Sequence, residues 1–156
     1  MYFISPTEGK LDFLQTFNSI IKFIEKYPQK NNLLVIGSDS KARDTINFVT
    51  TILIYRKGCG ARFYYRKNNV DSNLTMRQRI YQETLESLKL ANKINDIIIT
   101  DERINDLDIE VHLDVGPNGK TNGLINEVVG MISGSGYKAR IKPLAYGASN
   151  VADRYT

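Results

Sequence analysis

Residues 33–40 read LLVIGSDS, an unbroken aliphatic run that stops at Gly37 and Ser38 and then places an acid, Asp39. Four large apolar residues without alternation mark a strand buried on both faces, and such strands lie at the centre of a covered sheet. An acid at the polar end of a central strand is costly to bury unless something positive meets it. The stretch therefore sets the fold class, α/β, and the place to look for chemistry.

Working outward, residues 46–55 are β-branched and partly alternating, Gly58-Cys59-Gly60 turns the chain, and residues 61–67 continue it, which predicts a three-stranded meander. Upstream, Leu14, Phe17, Ile21 and Ile24 fall at helical spacing, Phe13 and Ile20 widen the stripe, and Pro28 follows, so an extra N-terminal helix is expected over 10–26. Helical spacing returns over 75–95, with Thr75 as N-cap and Met76, Ile80, Ser87, Ala91 and Ile94 along one side. Glu83 borders that side, whereas Glu86 points away from it. Residues 97–100 read as a short strand or an extended lead-in.

In 108–115, Ile109, Val111, Leu113 and Val115 alternate with Asp108, Glu110, His112 and Asp114, a half-buried strand with Asp114 on its polar face. Residues 120–133 carry a helix closed by Gly134 and Gly136, residues 137–141 the last strand, and residues 150–154 a short final helix with Ser149 as N-cap. Without repeats or linkers, the 156 residues are expected to form one domain, 1–156.

Charge is unevenly spread: residues 41–80 hold nine Lys or Arg against Asp44 and Asp71, while 83–114 hold nine acids against Lys89, Lys93 and Arg103. One half suits a phosphate backbone and the other collects cations, although two solvated faces of opposite sign give the same count. Lys22, Asn18 and Gln15 interrupt the first apolar stretch, so neither a signal peptide nor a membrane span is expected and the location is read as cytoplasmic. A lone cysteine, Cys59, excludes an internal disulfide and a cysteine zinc cage.

Four separated elements each deliver an isolated carboxylate: Asp39, Glu83, Asp114 and Asp153. That is the layout of a two-metal site for phosphodiester hydrolysis, with Mg²⁺ or Mn²⁺ as the ion. Each acid also has a plainer reading: a turn-forming Asp at 39 and 114, a solvent-facing helix glutamate at 83, and a dipole-complementing acid or Arg154 partner at 153. His112 shares the face of Asp114 and is read either as a proton relay or as a hydrogen-bonded structural residue. The segment GPNGKT at 116–121 ends like a P-loop but has two residues between its glycines where four are required, which argues against ATP binding. It still offers Lys120 and Thr121 to a phosphate; Lys142, Tyr146 and Ser149 are further candidate substrate contacts. Arg62, Tyr64 and Arg66 alternate on one strand face and suggest a basic, aromatic platform.

The order of elements, with acids in the first strand, the crossover helix, the fourth strand and the last helix, resembles ribonuclease H. More closely, GSDS, HLDVGPNGKT, GSGYKARIKP and GASNVADRY resemble the YkuK-type family of ribonuclease H-related nucleases, over nearly the whole chain. The resemblance implies a five-stranded mixed sheet in the order 3-2-1-4-5, helices on both faces, and a site across strands 1 and 4. By position it makes Asp39, Glu83, Asp114 and Asp153 metal ligands and catalytic carboxylates, with Glu86 competing for the second place. Asp39 is expected to bridge. The expected partner is nucleic acid (RNA, an RNA–DNA hybrid or structured DNA), and the alternative is a non-catalytic nucleic-acid-binding module on the same fold. A proofreading exonuclease would need an acid where Lys41 stands.

Overall fold

The structure, a computed structural model, describes residues 1–28, 31–120 and 122–156, with the backbone alone at 148. Its strands are β1 (Tyr2–Ser5), β2 (Gly9–Asp12), β3 (Asn32–Ala42), β4 (Ile46–Arg56), β5 (Ala61–Val70), β6 (Asp108–Leu113) and β7 (Lys138–Arg140). The helices are α1 (Phe13–Glu25), α2 (Met76–Ile98), α3 (Ile125–Gly134) and a last turn, α4 (Asp153–Tyr155). One sheet runs β2-β1-β5-β4-β3-β6-β7. The expected 3-2-1-4-5 order is its inner part, β5-β4-β3-β6-β7, and the expected count of five is corrected to seven.

The two additional strands form a hairpin on the edge of β5, where Ile4 pairs with Tyr65. Phe3 points inward and is fully buried, while Tyr2 and Ile4 face outward. This hairpin also shortens the first helix. Lys10–Asp12 pairs with Tyr2–Ile4, and Asp12 then caps α1 through a reciprocal box with Gln15, so the helix starts at Phe13 rather than Lys10.

Thr75 caps α2 in the same way with Gln78. That helix absorbs Ile97 and Ile98, so no strand forms over 97–100. Leu34, Ile36, Ile52, Tyr64, Val111 and Leu113 lie on the sheet face that α1, α2 and α3 cover, and they form one core with Phe17, Ile20, Ala91, Ile94, Val128 and Ile132. Among the described residues the opposite face carries no long helix. It is covered at β3, β4 and β6 by the C-terminal segment, a π-helical turn over Gly147–Ala152 followed by α4.

That arrangement corrects the expected final helix capped by Ser149, since Ser149 lies inside the π-helical turn. Tyr64 corrects the proposed aromatic platform. Its ring is core, with its hydroxyl 2.7 Å from Ser19, while Arg62 donates to Thr7 and Arg66 lies 3.9 Å from Glu86.

Candidate carboxylate site

β3 and β6 run parallel, and their ladder ends at the pair Ser38 and Leu113. Asp39 is the next residue of β3, and Asp114, expected on the strand, is the first residue beyond β6. β3 itself continues to Ala42 against β4, so Asp39 lies inside a strand, not at its end, and is fixed opposite Val49. The crevice opens where the parallel partner leaves, at the carboxyl ends of adjacent strands, which is where open α/β sheets place their ligands.

Glu83 arrives from α2. Thr84, Ser87 and Ala91 are all fully buried, and such small residues let the helix lie close to β3. The Ser87 hydroxyl donates to Ser38 at 2.8 Å, and Ser38 donates to Thr50 at 3.0 Å, a buried polar chain that sets the helix register. One turn earlier, Glu83 accepts from the Ser40 hydroxyl at 2.5 Å. Arg79 Nη1 reaches the Ser40 carbonyl at 3.3 Å. Glu86 faces elsewhere, toward Gln82, Lys89 and Arg66.

Asp39, Glu83 and Asp114 thus line one cleft of about 340 Å³ with Ser40, Arg79, Lys120 and Lys142. Asp39 and Glu83 are only 8% and 7% exposed. Burial first, then the charge of Asp114, and last the charge of Asp153 and a side-chain hydrogen bond with it, raise the Asp39 carboxyl to about 7, against an opposing backbone hydrogen bond from Ser40. Burial raises Glu83 to about 8, against the opposing hydrogen bond from Ser40, with Asp39 and Asp114 adding repulsion. Burial and mutual repulsion thus favour the protonated form of both acids near neutral pH.

Asp114 is placed differently. Its Oδ1 accepts from the Ser149 hydroxyl at 2.8 Å and lies 3.2 Å from Lys142 Nζ. Asp153 is exposed at the start of α4. Tyr155 ties that turn down by stacking on Tyr65, with centroids 3.9 Å apart and planes 13° apart, and Asn47 donates to the Thr156 carbonyl at 3.2 Å.

His112 shares the face of Asp114 but lies under the C-terminal segment, fully buried, outside the cleft lining. Its Nε2 is 3.1 Å from Glu110, its Nδ1 accepts from the Gly147 amide at 3.1 Å, and Tyr146 meets its ring edge-on at 4.6 Å. Those contacts fit the structural reading better than a proton relay. Thr121 lies outside the described residues. Ser40 and Arg79 were not singled out from sequence, although Ser40 belongs to the GSDS motif and Arg79 to the basic stretch.

The donor set consists of oxygens alone, which suits a hard divalent cation, and two buried acids short of countercharge suit one further. Among the described residues, no three His, Cys, Asp or Glu side chains are gathered closely enough to enclose an ion as they stand.

Comparison with known proteins gives a family described as Ribonuclease H-like, matched by residues 15–156. The chain is also 34% identical over 165 residues to "Uncharacterized protein YkuK" of Bacillus subtilis (strain 168), covering 99% of this chain and 96% of that protein. No solved structure matches. Among the described residues no helix is long and apolar enough to cross a membrane.

Proposed function

This chain belongs to the ribonuclease H-like family, and from that premise we propose that it hydrolyses phosphodiester bonds in nucleic acid with the help of Mg²⁺ or Mn²⁺. The observation that carries this reading is the pair of buried acids, Asp39 and Glu83, held at about 7 and 8 where β3 parts from β6. A cation entering there relieves the repulsion and lets both ionise, so the site is poised to bind one.

Asp39, on the rigid central strand, would bridge two ions; Glu83 and Asp114 would complete one shell and Asp153 would support the other. Mg²⁺ or Mn²⁺ held there supplies water activation and neutralisation of charge on the leaving oxygen. The chain's own groups do the positioning. Ser40 orients Glu83, Ser149 orients Asp114, and Arg79, Lys120 and Lys142 bring positive charge to the cleft for the substrate phosphate. RNA, an RNA–DNA hybrid and structured DNA are the substrates to screen, and the cytoplasm is the compartment this reading assigns.

Titration of Mn²⁺ into wild type and Asp39→Asn by calorimetry at low salt tests the proposal, followed by cleavage assays across that panel. Binding lost in the variant, with metal-dependent cleavage in wild type, supports it. Absence of cleavage together with identical behaviour of the variant sinks it. A second reading, a non-catalytic nucleic-acid-binding module, is favoured by the ion pair that already occupies Asp114. Its signature is salt-sensitive binding of nucleic acid without affinity for divalent ions.

A further inference from the structure

We propose that Lys142 is an internal counter-cation for Asp114, displaced when a divalent ion binds and then free to hold a substrate phosphate; the inference rests on the metal site proposed above. Among the described residues, Asp114 is the one cleft carboxylate in an ion pair, with Lys142 Nζ at 3.2 Å. The lysine is mounted for that contact. Its backbone N–H donates to the Val115 carbonyl at 2.9 Å, which fixes it beside the residue after Asp114. Its side chain lies across Gly116, where an added Cβ would stand 3.1 Å from Lys142 Cβ and 3.4 Å from Cδ. Gly116 therefore leaves the channel along which the stem reaches the carboxylate.

The side chain of this lysine is 52% exposed. An ion pair with that much solvent is weak and readily exchanged. Oδ1 of Asp114 already accepts from Ser149, and that hydroxyl holds the carboxylate in place whichever cation is present. A divalent ion on the same carboxylate would repel the ammonium and offer the carboxylate twice the charge, so the two compete. Once released, the ammonium shares the cleft lining with Lys120, and a phosphate diester is the anion of matching chemistry.

Calorimetric titration of Mn²⁺ into the full chain, comparing wild type with Lys142→Gln and Lys142→Arg, tests the competition. Lys142→Gln is expected to bind Mn²⁺ roughly two- to fivefold tighter, the worth of an exposed ion pair, whereas Lys142→Arg stays at the wild-type value. With Ca²⁺ in place of Mn²⁺ to hold cleavage back, Lys142→Gln is expected to bind a short single-stranded RNA more weakly than wild type. Equal or weaker Mn²⁺ affinity in Lys142→Gln, while Asp39→Asn abolishes binding, overturns the role of Lys142 and leaves the metal site standing. Absence of Mn²⁺ binding to wild type overturns both. Should Lys142→Gln fail to fold, the Lys142 ammonium resonance of wild type is followed during Mg²⁺ addition by NMR; it is expected to shift, and an unmoved resonance overturns the proposal.

Discussion

The Nδ1 atom of His112 accepts the backbone N–H of Gly147 at 3.1 Å, so the imidazole is neutral and carries its proton on Nε2, where it donates to Glu110. Burial pushes the His112 pKa down, which holds it in that form. A buried strand residue thereby clamps the segment that carries Ser149 and Asp153 over the sheet. Thr51 adds a second tie, donating to the Gly147 carbonyl at 3.2 Å.

Gly147 has no room for a side chain, since an added Cβ would lie 2.6 Å from Val35 Cγ1 and 3.2 Å from His112 Nδ1. Gly147→Ala is expected to destabilise the protein by about 1–3 kcal/mol through overpacking. His112→Phe is expected to cost about 1–3 kcal/mol because it leaves the Gly147 amide without its acceptor and the buried Glu110 with Arg140 alone. Urea denaturation measures both losses, and unchanged midpoints would show that the segment is not held by this clamp.

The metal-free protein is expected to lose stability as pH rises. Asp39 and Glu83 start from 3.8 and 4.5 and are raised to about 7 and about 8 in the fold. Between those values the native state binds more protons than the unfolded chain, so the stability these two groups contribute is fully present below about pH 4 and is lost by about pH 8, a loss on the order of 10 kcal/mol at most. His112, whose pKa is lowered, acts in the opposite sense, but only up to its ordinary 6.5. Thermal unfolding in chelator between pH 6.5 and 8.5 therefore reads the carboxylates. The midpoint should drop in wild type and drop less in Glu83→Gln, and a rising midpoint would contradict the raised pKa of Glu83.

Strands β3 to β6 were legible because each has a local signature: the aliphatic run before Asp39, the β-branched meander and the alternation ending at Asp114; their order in the sheet came from the resemblance to ribonuclease H, because no local pattern names a strand's neighbours. What the sequence could not convey was long-range preference. Tyr2 and Ile4 present their apolar side chains to solvent, so the N-terminal hairpin lacks an amphipathic pattern of its own, and only the buried Phe3 reveals its role. Ser149 has a good capping residue type, yet its hydroxyl is drawn to Asp114, 35 residues away. Tyr64 looked like half of a surface platform because alternation names two faces without saying which one α1 covers. Glu83 and Glu86 differ by less than one helical turn, and packing of Ser87 on Ser38 decides which of them faces the cleft.

Tyr155 tests how firmly Asp153 is held. Its ring stacks on Tyr65 at 3.9 Å and lies 5.8 Å from Phe63, an aromatic contact on the same sheet face that the C-terminal segment covers. Tyr155→Ala is expected to cost about 1–2 kcal/mol. It should also weaken Mn²⁺ binding, because α4 loses its anchor while Asp39, Glu83 and Asp114 keep theirs. Calorimetry on the variant with Tyr155→Phe as control, which keeps the stack, separates the two effects. An unchanged Mn²⁺ affinity in Tyr155→Ala would remove Asp153 from the proposed ligand set.

Glu83→Gln and Glu86→Gln offer the sharpest contrast in the site, because the two residues share a helix, a charge and a neighbourhood. Glu83 is buried, accepts from Ser40, and faces Asp39 and Asp114; Glu86, about 60° round the helix, meets Lys89 and Arg66 instead. In the metal-free protein Glu83→Gln replaces an acid that is costly to ionise with a neutral amide of the same size, so at pH 8 it is expected to stabilise the fold. The same change removes one ligand oxygen charge, and cleavage should fall by at least about 100-fold, the usual order for losing a charged group that acts at a reaction centre. Glu86→Gln loses two long ion pairs, at 3.9 Å to Arg66 and 3.8 Å to Lys89, that lie outside the cleft lining, and its cleavage rate is expected to stay within about twofold of wild type. Single-turnover cleavage and thermal unfolding of the two variants at pH 8 measure both effects. A large loss in Glu86→Gln with little in Glu83→Gln would exchange their roles.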